Sequence, residues 1–133
     1  MRHRPAAHVY PPGYGPIGTG ANLRRWETDA PFHRVWSAVR GHTLVDEARL
    51  YELWELAGEV APVPGAYLEI GVWRGGSAAL VASRLHAESA ARETQPRPVV
   101  LCDTFAGVVK AGPHDAYYRG GEHADTSVDT VTA

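Results

Sequence analysis

YLEIGVWRGGS, which spans residues 67–77, is the stretch that decides the fold of this chain. The apolar residues 66–70 predict a buried β-strand that begins after Pro64-Gly65. The glycines that follow predict a tight turn, and the alanine-rich residues 77–85 predict a helix that begins at this turn. Together, a strand, a tight turn and a helix N-terminus present backbone N–H groups and a partial positive charge, which is typical of a nucleotide-cofactor site.

The spacing of the glycines narrows the class of ligand. Gly71, Gly75 and Gly76 follow the order G-x-x-x-G-G, whereas a dinucleotide fingerprint needs G-x-G-x-x-G, and Trp73 stands where that fingerprint has its second glycine. No Lys precedes Ser77, as a phosphate-binding Walker A loop would require. The turn therefore favours a ligand without a large phosphate group, with a carboxylate or other electronegative group at the helix N-terminus.

Two acidic residues stand at the ends of apolar runs. Glu69 is costly to bury unless a ligand or a turn amide pairs with it, and the alternative is that it only accepts backbone N–H bonds and stiffens the turn. Residues 99–103 predict a second buried strand, in which Cys102 is an inert core residue. Asp103 at its tip is suited to accept from two ribose hydroxyls, and the alternative is a turn or N-cap role.

Two helices are predicted before the first strand. The earlier one spans residues 31–40, with Asp29 as a possible N-cap. The later one follows a capping pattern at residues 43–46, carries apolar residues at helical spacing and ends near Val60. We assign Trp54, on its apolar stripe, to the core rather than to a cofactor platform.

Other segments are predicted to be largely irregular. Residues 1–28 are rich in Pro and Gly and are expected to form a flexible arm, with a docked lid as the alternative. Residues 88–98 are expected to form a loop. Residues 125–129 predict the start of a short helix capped by Asp125 or Thr126.

Composition and charge exclude several classes of partner. The chain has 133 residues, of which 44% are hydrophobic and 21% charged, and its formal net charge is -2. There is no bulk basic field to bind nucleic acid, and no apolar run approaches the roughly 20 residues that span a bilayer. We therefore expect a small-molecule substrate, with neither nucleic acid nor a membrane as partner. The single cysteine, Cys102, fits a reducing cytoplasm.

Three stretches together carry a resemblance to one enzyme family. They are LEIGVWRGG at residues 68–76, CDTFAG at 102–107 and YRGGEHADTS at 118–127. In combination they resemble the macrocin O-methyltransferase (TylF/MycF) family of class I S-adenosylmethionine-dependent enzymes, from about Thr43 onward. The resemblance implies an α/β fold with a doubly wound, Rossmann-like parallel sheet. It also implies methyl transfer from S-adenosylmethionine to a sugar or other small-molecule hydroxyl, and a divalent metal, usually magnesium.

The same resemblance implies a set of cofactor-binding residues. The methionine end of the cofactor would be held by Glu69, Gly71, Val72, Trp73 and Gly75, and the ribose by Asp103. The family's metal ligands and catalytic base belong to sequence that follows the ribose acid and have no counterpart here. We therefore expect residues 29–133 to be the N-terminal part of a truncated methyltransferase domain, poorly stable and inactive by itself, with no catalytic residue or metal ligand to name.

Other interpretations stay open. A nucleotide-dependent oxidoreductase is disfavoured by Trp73 in the glycine turn, and a non-catalytic remnant or partner-binding module would follow from a missing second half. A homo-oligomer is also possible. A metal site at His114, Asp115, Glu122, His123 and Asp125 has no zinc-type spacing to support it, and a mobile segment near the substrate is the favoured alternative.

Overall fold

The computed structural model describes residues 24–132, which form helices packed on a two-stranded sheet. In chain order the elements are a 3-10 helix at Arg25–Thr28, helix α1 at Ala30–Val39, helix α2 at Glu47–Val60, strand β1 at Tyr67–Ile70, helix α3 at Gly76–Ala91, strand β2 at Val99–Cys102 and helix α4 at Val128–Thr132. The alternation of helix and strand is compatible with an incomplete α/β fold.

Side-chain caps fix the starts of α1 and α2. An Asp29 carboxylate oxygen accepts the Phe32 N–H at 2.9 Å, so the predicted N-cap is confirmed. Asp46 does the same for the Arg49 N–H at 3.0 Å, so α2 begins at Glu47, after the predicted capping pattern of residues 43–46, and it ends at Val60, as predicted. Each cap satisfies one of the N–H groups that a helix leaves without an internal partner.

The core lies between α1, α2 and α3. Phe32, Leu50 and Leu80 are fully buried there, and Trp54 is only 2% exposed, which confirms its assignment to the core. The Phe32 and Tyr51 rings pack in a T-shaped arrangement with their centroids 5.0 Å apart. Burying each large apolar side chain contributes about 1.5–3 kcal/mol, so this cluster is the main source of stability in the described region.

The sheet is parallel, and the helices cover one of its faces. β1 pairs with β2 from Tyr67 opposite Val99 to Ile70 opposite Cys102. Tyr67 and Val99 pack against buried residues of α2 and α3. The side chains that alternate to the other face are exposed, with Leu68 at 56% and Ile70 at 79%.

This one-sided packing corrects two predictions. The strands are not buried as their apolar sequences suggested, because no element of residues 24–132 covers the second face. Cys102 is exposed, so its assignment as an inert core residue is wrong. A continuous apolar strand predicts two covered faces, and here the second layer is not supplied by the described part of the chain.

Two boundaries also differ from those predicted. Helix α3 continues to Ala91, so the first part of the expected 88–98 loop is helical. Arg25–Thr28 belongs to the expected arm, yet it forms a 3-10 helix in which Trp26 packs on the core. The rest of the arm, residues 1–23, lies outside the described residues.

Candidate functional site

A cavity of about 590 Å³ lies at the carboxyl ends of the two strands. Ile70 and Gly71 line it from β1, Cys102 and Asp103 from β2, and Trp73, Val108 and His123 from the connecting segments. Parallel strands place the residues that follow them at one edge of the sheet, where α/β proteins bind ligands. Its volume falls within the roughly 300–1,000 Å³ of ordinary small-molecule sites.

Two glycines of the turn have different roles: one leaves a side of the cavity open, and the other lets α3 pack closely on the preceding part of the chain. Gly71 has φ +86°, and a Cβ added there would meet no atom of the described residues within 4 Å. Gly76 is different, since a Cβ there would come within 2.6 Å of the His42 carbonyl oxygen, to which the Gly76 N–H donates at 2.8 Å. One glycine therefore leaves room at the strand end, and the other brings α3 against the 39–42 turn.

Asp103 binds the backbone of this glycine turn. One of its carboxylate oxygens accepts the N–H groups of Val72 at 2.6 Å and Trp73 at 3.0 Å. Its other oxygen accepts the Phe105 N–H at 2.8 Å. These three bonds, of which that from Phe105 has the largest effect, hold the pKa of Asp103 below its usual range. The turn role that the sequence left open for Asp103 is thus present, and it joins β2 to the turn after β1.

Glu69 does not line the cavity. Ser77, at the start of α3, donates its hydroxyl to one Glu69 carboxylate oxygen at 2.5 Å. The other oxygen, Oε2, is buried and has no hydrogen-bond partner among residues 24–132. Burial raises the pKa of Glu69, and the Ser77 bond opposes that rise without cancelling it.

Asp125 joins the segment before α4 to the same turn through hydrogen bonds. Its carboxylate accepts the Trp73 indole N–H at 2.9 Å and an Arg74 guanidinium N–H at 2.6 Å. Thr126 donates its hydroxyl to the Trp73 carbonyl oxygen. The prediction that Asp125 or Thr126 caps α4 is wrong, because the Ser127 hydroxyl accepts the Thr130 N–H at 3.1 Å and is the cap instead.

Comparison with known families decides the identity of the chain. A family model described as Macrocin-O-methyltransferase (TylF) matches residues 18–131. The chain belongs to the macrocin O-methyltransferase family. The matched range contains both strands, the glycine turn and Asp125, and it begins well before Thr43, where the resemblance had been expected to start. Neither a search of curated proteins nor one of solved structures gives a match.

For a macrocin O-methyltransferase the implied cofactor is S-adenosylmethionine, and three of the predicted binding residues line one cavity. These are Gly71, Trp73 and Asp103. Val72 is buried in the turn, and the Gly75 N–H donates to the Val72 carbonyl oxygen at 2.9 Å. Their roles toward the cofactor, like that of Glu69, stay predictions.

Sequence reasoning missed the partners that hold this glycine turn in place. They are Ser77 for Glu69, and Asp125 and Thr126 for Trp73. Asp125 is 52 positions from Trp73, and its local sequence resembles a helix start, so no short-range pattern marks the contact. Ser77 lies only eight positions after Glu69, but no standard motif has a serine at that spacing from a strand-end acid, so the sequence did not predict their hydrogen bond.

The described residues do not fit a magnesium site. Among residues 24–132 no group of three or more His, Cys, Asp or Glu side chains is placed to hold a metal ion. Magnesium takes oxygen ligands in near-octahedral geometry. No step of the chemistry is therefore assigned to a metal here. In the same range, no helix is long and apolar enough to cross a bilayer.

Proposed function

We propose that this chain carries the cofactor-binding part of an S-adenosylmethionine-dependent O-methyltransferase that acts on a sugar or other small-molecule hydroxyl. Family membership supports methyl transfer. The choice of cofactor rests on one observation: the Asp103 carboxylate accepts hydrogen bonds from the N–H groups of Val72 and Trp73.

The position of Asp103 argues against a phosphate-bearing cofactor. In phosphate-binding turns the backbone N–H groups meet the ligand's phosphate oxygens. Here the protein's own carboxylate already accepts two of those N–H groups, and its negative charge would repel a phosphate. S-adenosylmethionine has no phosphate and bears a positive sulfonium, which suits an acidic strand end. The same argument weighs against a nucleotide-dependent oxidoreductase.

Asp103 retains capacity for a ribose hydroxyl. A carboxylate has about four acceptor positions, and three are used by the N–H groups of Val72, Trp73 and Phe105. The remaining position belongs to the oxygen that accepts only Phe105. One ribose hydroxyl could donate there without disturbing the turn, so the structural and the cofactor-binding roles of Asp103 are compatible.

The described residues contribute positioning. When bound, S-adenosylmethionine supplies an activated methyl group and a neutral thioether leaving group. Gly71 leaves the strand end open to a ligand, and Trp73 and Ile70 provide apolar walls. Holding two reactants in line is by itself worth several kcal/mol of the barrier. The group that accepts the hydroxyl proton is not assigned among residues 24–132.

A partner-binding module is the second candidate, and the exposed sheet face favours it. Leu68 and Val100 lie on that face with 56% and 45% of their surfaces exposed. Adjacent exposed apolar side chains of this kind mark contact surfaces. The two functions are compatible, because a covering partner would complete the wall of the cavity beside Ile70. A reducing, cytoplasmic setting is part of the proposal, supported by the exposed thiol of Cys102.

Equilibrium dialysis with labelled S-adenosylmethionine tests the proposal. Wild-type chain should retain the label, Asp103→Ala should lose it, and Asp129→Ala should behave as wild type. Asp129 is an exposed acid of α4, so it controls for the change in net charge. Retention of label by Asp103→Ala at the wild-type level would contradict the assigned site.

A further inference from the structure

Trp73 adopts a backbone conformation that a bulky residue rarely takes. Its φ is +49°, in the left-handed region that normally favours glycine. Such a conformation is strained and persists only where the surroundings hold it. An ordinary tight turn would place glycine here, so the indole at this position calls for an explanation.

Every polar group of Trp73 is held by a residue distant in sequence. Asp103 accepts its backbone N–H at 3.0 Å, Thr126 donates to its carbonyl oxygen, and Asp125 accepts its indole N–H at 2.9 Å. Arg74 stacks on the indole ring, with the guanidinium carbon 4.8 Å from the ring centroid. The backbone of the turn and the direction of the indole are therefore fixed separately, the first by Asp103 and the second by Asp125.

Asp125 acts on the cavity through Trp73. Trp73 lines the cavity, whereas Asp125 does not. The Asp125 carboxylate also pairs with Arg74, whose guanidinium covers the same indole. An indole that is hydrogen-bonded at its edge and stacked on one face has little freedom to turn into or away from the cavity.

We propose that Asp125 is a positioning residue of the cofactor site, which fixes the Trp73 indole as a wall of the cavity by accepting its N–H. The inference rests on the proposed function and names the ligand class as a phosphate-free sulfonium or thioether nucleoside. The indole would pack against the apolar part of that ligand. The competing explanation is that Asp125 only anchors the later chain segment to the glycine turn.

A double-mutant cycle separates these explanations. The probe is S-adenosylhomocysteine, titrated calorimetrically into wild type, Asp125→Ala, Trp73→Phe and the double variant, with Asp129→Ala as the matched control. Positioning through the indole predicts that Asp125→Ala weakens binding about tenfold in wild type, the scale of one hydrogen bond to a charged group. In the Trp73→Phe background, which lacks the indole N–H, it should weaken binding less than twofold. Equal loss in both backgrounds would overturn the inference.

Asp125→Asn adds a rescue test. Asn keeps an oxygen that can accept the indole N–H and loses the charge that pairs with Arg74. We expect Asp125→Asn to bind within about threefold of wild type, and binding as weak as that of Asp125→Ala would overturn the inference. If thermal melts show that Asp125→Ala does not fold, the other two variants decide between the explanations. Positioning through the indole predicts that Trp73→Phe binds S-adenosylhomocysteine weakly and that Asp125→Asn binds it well.

The failure of the two proposals can be told apart. Wild-type chain that binds S-adenosylhomocysteine while Asp125→Ala binds it equally well overturns the positioning role alone. Folded wild-type chain that binds none overturns the proposed function, and the positioning role with it.

Discussion

Asp103, at the end of β2, accepts the Val72 N–H from the turn after β1 at 2.6 Å, so the two strand ends are joined by a side chain across 31 positions of sequence. The same carboxylate also binds Trp73 and Phe105. One acid therefore fixes the shape of the turn, the end of the sheet and one wall of the cavity.

Removal of this carboxylate should destabilise the chain. Asp103→Ala leaves the Val72 and Trp73 N–H groups without their acceptor, which costs about 1–3 kcal/mol of unfolding free energy. Urea denaturation followed by circular dichroism measures the difference. Asp129→Ala, an exposed change of the same kind in α4, should cost less than about 0.5 kcal/mol. Equal midpoints for the two variants would contradict the structural role of Asp103.

The contribution of Asp103 should depend on pH. Its folded pKa is depressed, so the stabilisation is fully present above the unfolded pKa of about 3.9 and is lost as pH falls through the lower folded pKa. Melting temperatures of wild type and Asp103→Asn should therefore differ at pH 6 and converge as the pH falls through the folded pKa of Asp103. A difference that stays constant over this range would show that the carboxylate charge is not involved.

Glu69 should show the opposite dependence. Burial raises its folded pKa, so its stabilisation is fully present below the unfolded pKa of about 4.3 and is lost as pH rises through the folded pKa. Glu69→Gln keeps an oxygen for the Ser77 hydroxyl and removes the charge next to the unpartnered Oε2. We expect the variant to be more stable than wild type at pH 8, by about 1 kcal/mol, and no more stable at pH 4. A variant less stable than wild type at pH 8 would indicate that the ionised carboxylate has a partner.

The helical core is buried and one face of the sheet is exposed, so truncating a side chain should cost more stability in the core than on that face. Leu80→Ala removes a fully buried side chain and should cost about 2–5 kcal/mol. Leu68→Ala removes one that is 56% exposed and should cost less than about 1 kcal/mol. Thermal melts of both variants provide the comparison. Costs of similar size would show that the second face of the sheet is covered in solution, by the rest of the chain, by a partner or by another copy.

Cys102 offers a direct report on the cavity. It is exposed, it lines the cavity, and it is the single cysteine of the chain. Alkylation by iodoacetamide should slow in proportion to occupancy when S-adenosylhomocysteine is added, because a bound ligand covers the thiol. Mass spectrometry after timed quenching gives the rates. Rates that do not change at saturating ligand would place the ligand elsewhere.

Local patterns predicted the elements, and distant contacts escaped them. Asp29 as a cap, the end of α2 at Val60 and the two strands follow from short-range rules, and the structure confirms them. The prediction of a buried Cys102 failed because burial depends on which layers cover the sheet, a property that apolar runs do not encode.

The candidate site, too, contains residues that the sequence predicted and contacts that it did not. Gly71, Trp73 and Asp103 were visible from the glycine spacing, the strand ends and the family resemblance, and they line one cavity. The bonds from Asp103 to the turn and from Asp125 to the indole were not visible, because they join residues 30 or more positions apart. In both cases the local sequence also suits a cap or turn, and the long-range contact exists only once the chain has folded.

The central claim is that the glycine turn and Asp103 form a site for a phosphate-free nucleoside cofactor. Calorimetric titration of the wild-type chain with S-adenosylhomocysteine and, separately, with NADH tests it most directly. The account predicts saturable binding of S-adenosylhomocysteine and no detectable binding of NADH. Saturable binding of NADH without binding of S-adenosylhomocysteine would contradict it.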